Sequence, residues 1–318
     1  MSVAAPSTSI SRDDAQPPGG DRPSLKRRTG DWARRAPLMP ALVFMIIVTQ
    51  LPMVATLVIS FMRWNAYYPQ DRGFGGFENY RRVLTNVTTR QAILVTILIT
   101  VAVVLISLVL GLAIALLLDR KFLGRGAVRT FMIAPFLIVP VAAALVWKHA
   151  LYNPDYGLFN GVLTWIFGDN APQPDWISSF PLGAIIAALI WQWTPFMMLI
   201  ILAGLQSRPL DVVEAARIDG ASPWQIFRLM TLPHLRRYLE LSVLLGAVYI
   251  VQNFDHVFTI TSGGLGTANL PYDIYQNFYL AHDYGRASAE GVIVVVGTIL
   301  IATFALRTVS TLLKEEGR

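Results

Sequence analysis

Long uncharged runs alternate with short polar stretches along the chain, and this alternation predicts membrane-spanning helices. The clearest run covers residues 92–118, which are 27 residues without a charge. A helix needs about 20 apolar residues to cross the hydrocarbon core of a bilayer. Six segments meet or approach this length, so we expect spans near residues 38–62, 92–118, 130–148, 181–205, 238–258 and 289–313.

Two of the expected spans carry unusual features. The third contains Pro135 and Pro140. Because proline lacks a backbone donor, this span should be kinked and packed inside a bundle. The fifth is the weakest, since only residues 241–254 are free of charge, and it must extend into its charged flanks to cross.

Residues 206–240, named here the polar island, form a charged interruption between the fourth and fifth spans. Ser207 is expected to cap a first short helix, which Gly220 should end by adopting a left-handed conformation. Ser222 should cap a second short helix, and Pro233 should end or kink it. The pattern predicts a pair of short helices outside the bilayer.

Composition supports an all-α integral membrane protein. The chain is 54% hydrophobic and only 14% charged, whereas a soluble domain has about 25% charged residues. Cysteine is absent, which excludes disulfides and thiolate metal sites, and the four histidines lack metal-type spacing. A net charge of +6 is attributed to loops that face the cytoplasm rather than to nucleic-acid binding.

The distribution of lysine and arginine predicts the orientation. One side of the expected spans carries 19 of these residues and the other carries 7. The richer side includes both chain ends and the polar island, and by the positive-inside rule it is cytoplasmic. We therefore expect a disordered or juxtamembrane tail at 1–37, a membrane domain at 38–313 and a short tail at 314–318, with both termini cytoplasmic.

Several short motifs resemble one transporter family. Glu214-Ala-Ala, Asp219-Gly-Ala-Ser and Leu232-Pro resemble the coupling-loop motif of permease subunits of binding-protein-dependent ABC importers. Thr261-Ser-Gly-Gly and Gly285-Arg-Ala-Ser-Ala resemble the carbohydrate-uptake branch. The runs that look closest to sugar and polyol permeases are Ile133-Ala-Pro-Phe136, Ala144-Leu-Val-Trp-Lys148, Asn153-Pro154 and Trp191-Gln-Trp193. The resemblance extends from about residue 38 to the C-terminus.

The resemblance implies a transport subunit of the bacterial inner membrane and not an enzyme. A second homologous permease would complete the pathway, an extracytoplasmic solute-binding protein would deliver the sugar or polyol, and a dimer of ATP-binding subunits would hold the ATP and Mg²⁺. This chain would bind no cofactor. In the coupling element Glu214 would contact the ATPase and Gly220 would set the angle between the helices. The implied coupling residues are Glu214, Ala215, Ala216, Asp219, Gly220 and Ala221.

Polar and aromatic residues inside the spans are candidates for the substrate pathway, because sugars present hydroxyl edges and apolar faces. The candidates are Gln192, Trp193, Phe196, Gln252 and Asn253. The alternative is that the amides bond between helices and the tryptophans pack. Both interpretations stay open for Gln192 and Asn253, while packing is favoured for Trp191.

Three other functions are compatible with a helical membrane protein. An ion-coupled secondary transporter would be expected to show inverted repeats and intramembrane carboxylates, and the cores of the expected spans contain neither. An ABC permease for a non-carbohydrate solute would share the coupling loop but lack the Gly-Gly and Gly-Arg-Ala-Ser-Ala pieces. A scaffold without transport is disfavoured by the proline-containing and polar spans.

Overall fold

The computed structural model describes residues 36–168 and 170–315 of the chain. Residues 1–35 of the expected N-terminal tail and residues 316–318 of the expected C-terminal tail lie outside the described residues. Most described residues are helical, as the sequence predicts.

The elements up to the fourth predicted span are mostly helices with one small sheet. A 3₁₀ turn at Ala36–Leu38 leads into the first helix, and a second 3₁₀ turn covers Pro69–Asp71. In chain order the elements are α1 (Met39–Ser60), β1 (Met62–Arg63), β2 (Gly73–Phe74), α2 (Glu78–Thr85), α3 (Val87–Asp119), α4 (Arg125–Leu137), α5 (Pro140–Leu145, continued by a π-helical turn at Val146–Leu151), α6 (Leu158–Phe167), α7 (Trp176–Ser179) and α8 (Pro181–Gln206).

The remaining elements are helical. They are α9 (Leu210–Ile218), α10 (Pro223–Ile226, continued by a π-helical turn at Phe227–Thr231), α11 (Leu232–Val251), α12 (Asp255–Thr261), α13 (Leu270–Tyr275, continued by a π-helical turn at Gln276–Leu280) and α14 (Tyr284–Glu315). The two strands pair antiparallel, with Met62 opposite Phe74. The fold thus adds one small hairpin to the expected helices.

Four helices in the described part of the chain are long and apolar enough to cross a membrane: α1, α3, α8 and residues Tyr284–Phe304 of α14. Two bent pairs raise the number to six if each is one span. The expected break in the third span is confirmed, because Arg125–Leu137 and Pro140–Leu151 meet at 97°. The fifth expected span is also interrupted, since the helix through Val251 bends by 50° into α12.

The core is built where α3, α8 and α11 pack together. Their buried side chains form two apolar clusters along the bundle. Representative fully buried members are Val103, Ile185, Leu189 and Met197 in the first cluster, and Ala115, Ile201, Leu202 and Leu235 in the second. This core positions both the polar island and the polar residues of α8.

Gly111 allows α3 and α8 to approach closely. A Cβ atom on Gly111 would lie 2.9 Å from the backbone nitrogen of Met198 and 3.1 Å from the Cβ of Met197. Since backbone cannot move aside cheaply, Gly111→Ala should lower the free energy of unfolding by about 1–3 kcal/mol. Thermal unfolding of the detergent-solubilised protein measures this change.

Gly161 in α6 is the matched control for that substitution. No atom lies within 4 Å of a Cβ built there, and alanine is the better helix former by about 1 kcal/mol. Gly161→Ala should therefore leave stability unchanged or raise it slightly. Equal losses of stability in the two variants would contradict the assigned close approach.

Candidate functional site

The first helix of the polar island begins without the expected serine cap. Ser207 lies at the C-cap of α8, where its Oγ donates to the carbonyl of Gly204 at 2.9 Å and lies 2.8 Å from the hydroxyl of Tyr238. No side chain caps α9, whose N-cap is Pro209. The prediction for Ser207 is wrong because its hydroxyl closes the preceding helix and faces α11.

The left-handed conformation expected at Gly220 is confirmed, with φ at +84°. The Gly220 N–H donates to the carbonyl of Arg217 at 3.1 Å, and the Ala221 N–H donates to the carbonyl of Ala216 at 2.9 Å. These two bonds form a Schellman motif, which ends a helix when the residue after its cap is left-handed. Gly220 therefore sets the direction in which the chain leaves α9.

The expected cap at Ser222 is confirmed and is a full capping box. The Gln225 N–H donates to the Ser222 Oγ at 3.3 Å, and the Ser222 N–H donates to the Gln225 Oε1 at 2.8 Å. Pro223 occupies the first turn of α10, where its missing N–H costs nothing.

The expectation that Pro233 ends the second helix is wrong, and a kink at Pro233 stays a prediction. Residues Pro223–Val251 form one continuous helix that contains the π-helical turn at Phe227–Thr231. In this wider turn the Leu232 N–H donates to the carbonyl of Phe227, five residues back instead of the usual four. Pro233 therefore directly follows a local change in the helical hydrogen-bond pattern. The expected pair of separate short helices is one short helix followed by the start of a long one.

Most of the proposed coupling residues are open to solvent. Glu214, Ala215, Asp219 and Gly220 are exposed, whereas Ala216 and Ala221 are half-buried. The exposed residues lie within one short segment, α9 and the turn that follows it, and the exposed part of this segment is named the coupling surface.

Sequence reasoning missed two apolar residues of this surface. Ile218 is 86% exposed and Trp224 is 66% exposed, on either side of the Gly220 turn. The signal was present in the sequence, because large apolar residues are conspicuous in a polar stretch. Two large exposed apolar side chains in an otherwise polar segment are candidates for contact with a partner protein.

A half-buried ion pair ties the polar island to the end of α3. The Nη2 of Arg208 donates to the Oδ2 of Asp119 at 2.6 Å, and its Nη1 donates to the Oγ1 of Thr231 at 3.3 Å. The side chains of Arg208 and Asp119 are only 18% and 20% exposed. The base of the island is thus fixed to the bundle, while the surface around Glu214 projects from it.

Two of the pathway candidates, Trp193 and Phe196, belong to an aromatic cluster completed by Phe136 and Tyr249. Trp193 stacks on Tyr249 with ring centroids 5.5 Å apart, and Phe136 stacks on Phe196 at 5.1 Å. Trp193 and Phe196 meet edge to face at 5.6 Å. Tyr249 is 56% exposed, which leaves an open aromatic surface.

The three amide candidates have different surroundings. The Nε2 of the buried Gln192 donates at 2.9 Å to the carbonyl of Ile138, which lies in the break between α4 and α5. Gln252 is exposed and bonds back to Val248. The Nδ2 of Asn253 lies 3.2 Å from the Nδ1 of His256, and its buried Oδ1 is without a hydrogen-bond partner among the described residues.

These contacts separate residues that pack between helices from a residue with a hydrogen-bonding group that is free among the described residues. Gln192 makes the inter-helix bond that the packing interpretation expects, because its amide satisfies a carbonyl released by the helix break. Trp191 also packs, with its ring 5.9 Å from that of Trp147. The unpartnered oxygen of Asn253 is an acceptor that a ligand hydroxyl could satisfy. A role in the substrate pathway stays a prediction for all five candidates, which are Gln192, Trp193, Phe196, Gln252 and Asn253.

Known proteins resemble this arrangement over most of the chain. A probable ABC transporter permease protein of Sinorhizobium fredii is 37% identical over 268 residues, which are 83% of this chain and 85% of that protein. The trehalose/maltose transport system permease protein MalF of Thermococcus litoralis is 34% identical over 273 residues, 85% of this chain and 90% of that protein. The trehalose transport system permease protein SugA of Mycobacterium tuberculosis H37Rv is 34% identical over 265 residues, 83% and 84% of the two chains.

The fold has solved counterparts. A chain from the crystal structure of a bacterial alginate ABC transporter, in complex with a periplasmic protein bound to an alginate pentasaccharide, matches with a TM-score of 0.75 at 22% identity. The match covers 88% of this chain and 94% of that one. At this level of identity the likeness shows the fold.

A helical membrane domain interrupted by a polar island is the architecture of a transport permease. The family described as the binding-protein-dependent transport system inner membrane component matches residues 107–313. The chain belongs to this family.

Proposed function

We propose that this chain is a permease subunit of an ATP-driven importer, with six spans, that carries a carbohydrate across the bacterial inner membrane. A second homologous permease would complete the pathway. An extracytoplasmic solute-binding protein would deliver the substrate, and two ATPase subunits would hydrolyse ATP. The chain itself would hold no cofactor and perform no catalysis, and both termini would face the cytoplasm.

The observation that carries the proposal is the geometry of the polar island in a chain of this family. Glu214, Ile218 and Trp224 are exposed around a turn whose direction the left-handed Gly220 determines. The base of the island is held to α3 by Arg208 and Asp119. When an ATPase moves the exposed turn of the island, the attached base passes this movement to the helical bundle, as alternating access requires.

The carbohydrate assignment rests on two further observations. Two of the relatives are named for transport of trehalose or maltose. The aromatic cluster of Phe136, Trp193, Phe196 and Tyr249 supplies flat apolar surface for the C–H faces of a sugar ring, and Gln252 and Asn253 offer amides for its hydroxyls. A polyol remains a candidate substrate with the same hydroxyl chemistry.

The proposal is tested by purifying the tagged chain with its associated subunits and measuring ATP hydrolysis. A panel of disaccharides, monosaccharides, polyols, amino acids and inorganic ions is added in the presence of the solute-binding protein. We expect one sugar or polyol of the panel to stimulate hydrolysis several-fold. Absence of a co-purifying ATPase would contradict an ABC importer, and stimulation only by an amino acid or an ion would contradict carbohydrate uptake.

The aromatic cluster makes its own prediction. Tyr249→Ala removes the exposed ring that stacks on Trp193, and a ring of this kind is worth about 1 kcal/mol beyond its area. The half-saturating substrate concentration for uptake should therefore rise by about fivefold. Uptake of labelled sugar, corrected for membrane abundance, measures it.

Tyr156→Ala is the control for this experiment. Tyr156 is 71% exposed and lies in the loop between α5 and α6, and among the described residues its ring contacts no ring of the cluster. It should leave the half-saturating concentration unchanged. If Tyr249→Ala altered only abundance, the cluster would be a packing feature rather than part of the pathway.

A further inference from the structure

A cavity lies between the end of α3 and the polar island. Its volume is about 500 Å³. It is lined by three arginines and one acid, together with an apolar wall. The charged lining residues are Asp119, Arg120, Arg208 and Arg217, and the apolar wall includes Leu116, Pro223, Ile226 and Phe227.

The charges of the cavity are unbalanced. Asp119 is the one acid among its described lining residues, and it is engaged by Arg208 at 2.6 Å. Arg120 and Arg217 are exposed and add two positive charges from opposite sides, one at the end of α3 and one on α9. The cavity therefore attracts an anion.

Arg208 also has a hydrogen-bonding group left over. Its Nη1 and Nη2 are used by Thr231 and Asp119, but its Nε is buried and without a partner among the described residues. A buried donor is costly to leave unsatisfied. Because this Nε is shielded from solvent, an anion in the cavity would meet only the outer atoms of the guanidinium groups. An anion with several acceptor oxygens would bind the guanidinium groups of Arg120 and Arg217 at once, and phosphate has this chemistry.

The location of the cavity indicates the source of that phosphate. Asp119 and Arg120 directly follow the 27 uncharged residues at 92–118, so the cavity lies where an apolar helix leaves the membrane, at the level of lipid headgroups. The apolar wall suits the glycerol and upper acyl carbons. Arginine pockets beside membrane helices favour anionic headgroups. A zwitterionic lipid is disfavoured, because its positively charged ammonium group would approach the positively charged Arg120 and Arg217.

We propose that this cavity binds the phosphate headgroup of an anionic phospholipid, such as phosphatidylglycerol. The bound lipid bridges Arg120 at the end of α3 and Arg217 on α9, next to the Arg208–Asp119 ion pair. It thereby fastens the coupling surface to the bundle. This site is independent of the transported substrate.

The test uses the complex purified in mild detergent through a tag on this chain. Short-chain phosphatidylglycerol, phosphatidylcholine with the same chains, and inorganic phosphate are titrated separately, and native mass spectrometry counts the bound molecules. We expect one saturable phosphatidylglycerol site. In the Arg120→Gln/Arg217→Gln variant its affinity should fall by about tenfold or more, as expected for two interfacial guanidinium groups.

The matched control is Lys121→Gln/Arg228→Gln. It removes the same charge from exposed positions next to Arg120 and Phe227 but outside the cavity lining. The control should retain the site. Equal loss in both variants, or retention in both, would overturn the proposal.

The other titrations distinguish the source of the anion. If inorganic phosphate binds as tightly as phosphatidylglycerol, the site is for a soluble anion and the lipid assignment fails. If phosphatidylcholine binds equally, the arginines do not select charge. If the complex binds no phosphatidylglycerol at all, a partner subunit covers the cavity or the cavity binds no lipid, and either result overturns the proposal. Both variants alter exposed residues, and unchanged thermal unfolding verifies their folding.

Discussion

Replacing Gly220 with proline is expected to reduce substrate uptake by more than tenfold, while the protein stays in the membrane. Proline fixes φ near −65°, whereas Gly220 has φ at +84°. The substitution also removes the N–H that donates to the carbonyl of Arg217. The Schellman motif is lost, and α9 with Glu214 must point elsewhere. Uptake and substrate-stimulated ATP hydrolysis, both normalised to membrane abundance, measure the effect.

A graded series separates backbone direction from bulk at this position. A Cβ on Gly220 meets no atom within 4 Å, so a side chain fits. Asparagine adopts the left-handed conformation readily, whereas this conformation costs alanine roughly 1–2 kcal/mol of free energy. Activity should therefore decrease in the order Gly, Asn, Ala, Pro. If Gly220→Asn were as defective as Gly220→Pro, the surface rather than the backbone angle would matter.

Glu214→Ala tests the proposed coupling contact itself. Glu214 is exposed, so its removal should leave thermal unfolding unchanged. Substrate-stimulated hydrolysis and uptake should fall several-fold, because the docked ATPase loses a charged partner. Asp211→Ala, an exposed acid in the first turn of the same helix, is the control. Unchanged uptake by Glu214→Ala would remove this residue from the coupling surface.

Arg286→Ala is expected to cause the largest loss of stability. The Arg286 Nε donates to Glu290 at 3.0 Å and its Nη2 donates to Thr89 at 3.0 Å, while Thr89 donates to Asp273 at 2.9 Å. Asn277 donates to Glu290 as well. Glu290 is fully buried and Asp273 is 4% exposed. Removing the guanidinium leaves two buried carboxyl groups without their cation, which costs about 3–5 kcal/mol.

Arg82→Ala is the matched control. Arg82 pairs with Glu78 across one turn of α2, and these side chains are 53% and 38% exposed. An exposed pair of this kind contributes less than about 1 kcal/mol. Arg286→Ala should therefore lower the unfolding temperature in detergent much more than Arg82→Ala. Arg286→Lys should lower it by an intermediate amount, because lysine keeps the charge but not the forked geometry of the guanidinium group. Equal shifts for Arg82→Ala and Arg286→Ala would contradict a structural role for the network.

Much of the architecture was predictable because its causes are local. Uncharged length predicted the long helices, and proline spacing predicted the break between α4 and α5. The left-handed Gly220 and the cap at Ser222 were also predictable, because a glycine conformation and a serine cap depend on a few neighbouring residues. The same signals predicted the coupling residues around Glu214, whose role stays a prediction.

The errors have a common physical cause. Ser207 has a suitable side chain for a cap, but its hydroxyl bonds back to Gly204 and faces Tyr238 on a distant helix. Pro233 should have interrupted a helix, but the preceding π-helical turn accommodates it. In each case a competing local geometry or a distant partner decided the outcome, and neither is visible in a short stretch of sequence.

The sequence by itself determined the class of protein, the polar interruption and the turn chemistry within it, since these follow from composition, run length and backbone preference. Only the tertiary structure decided which side chains are partners. The pairing of Arg208 with Asp119 joins residues 89 positions apart. The bonds of Gln192 to Ile138 and of Arg286 to Thr89 likewise join distant positions. These contacts depend on how α3, α8 and α14 pack, because a polar group in a bundle bonds to whatever group packing brings within about 3 Å.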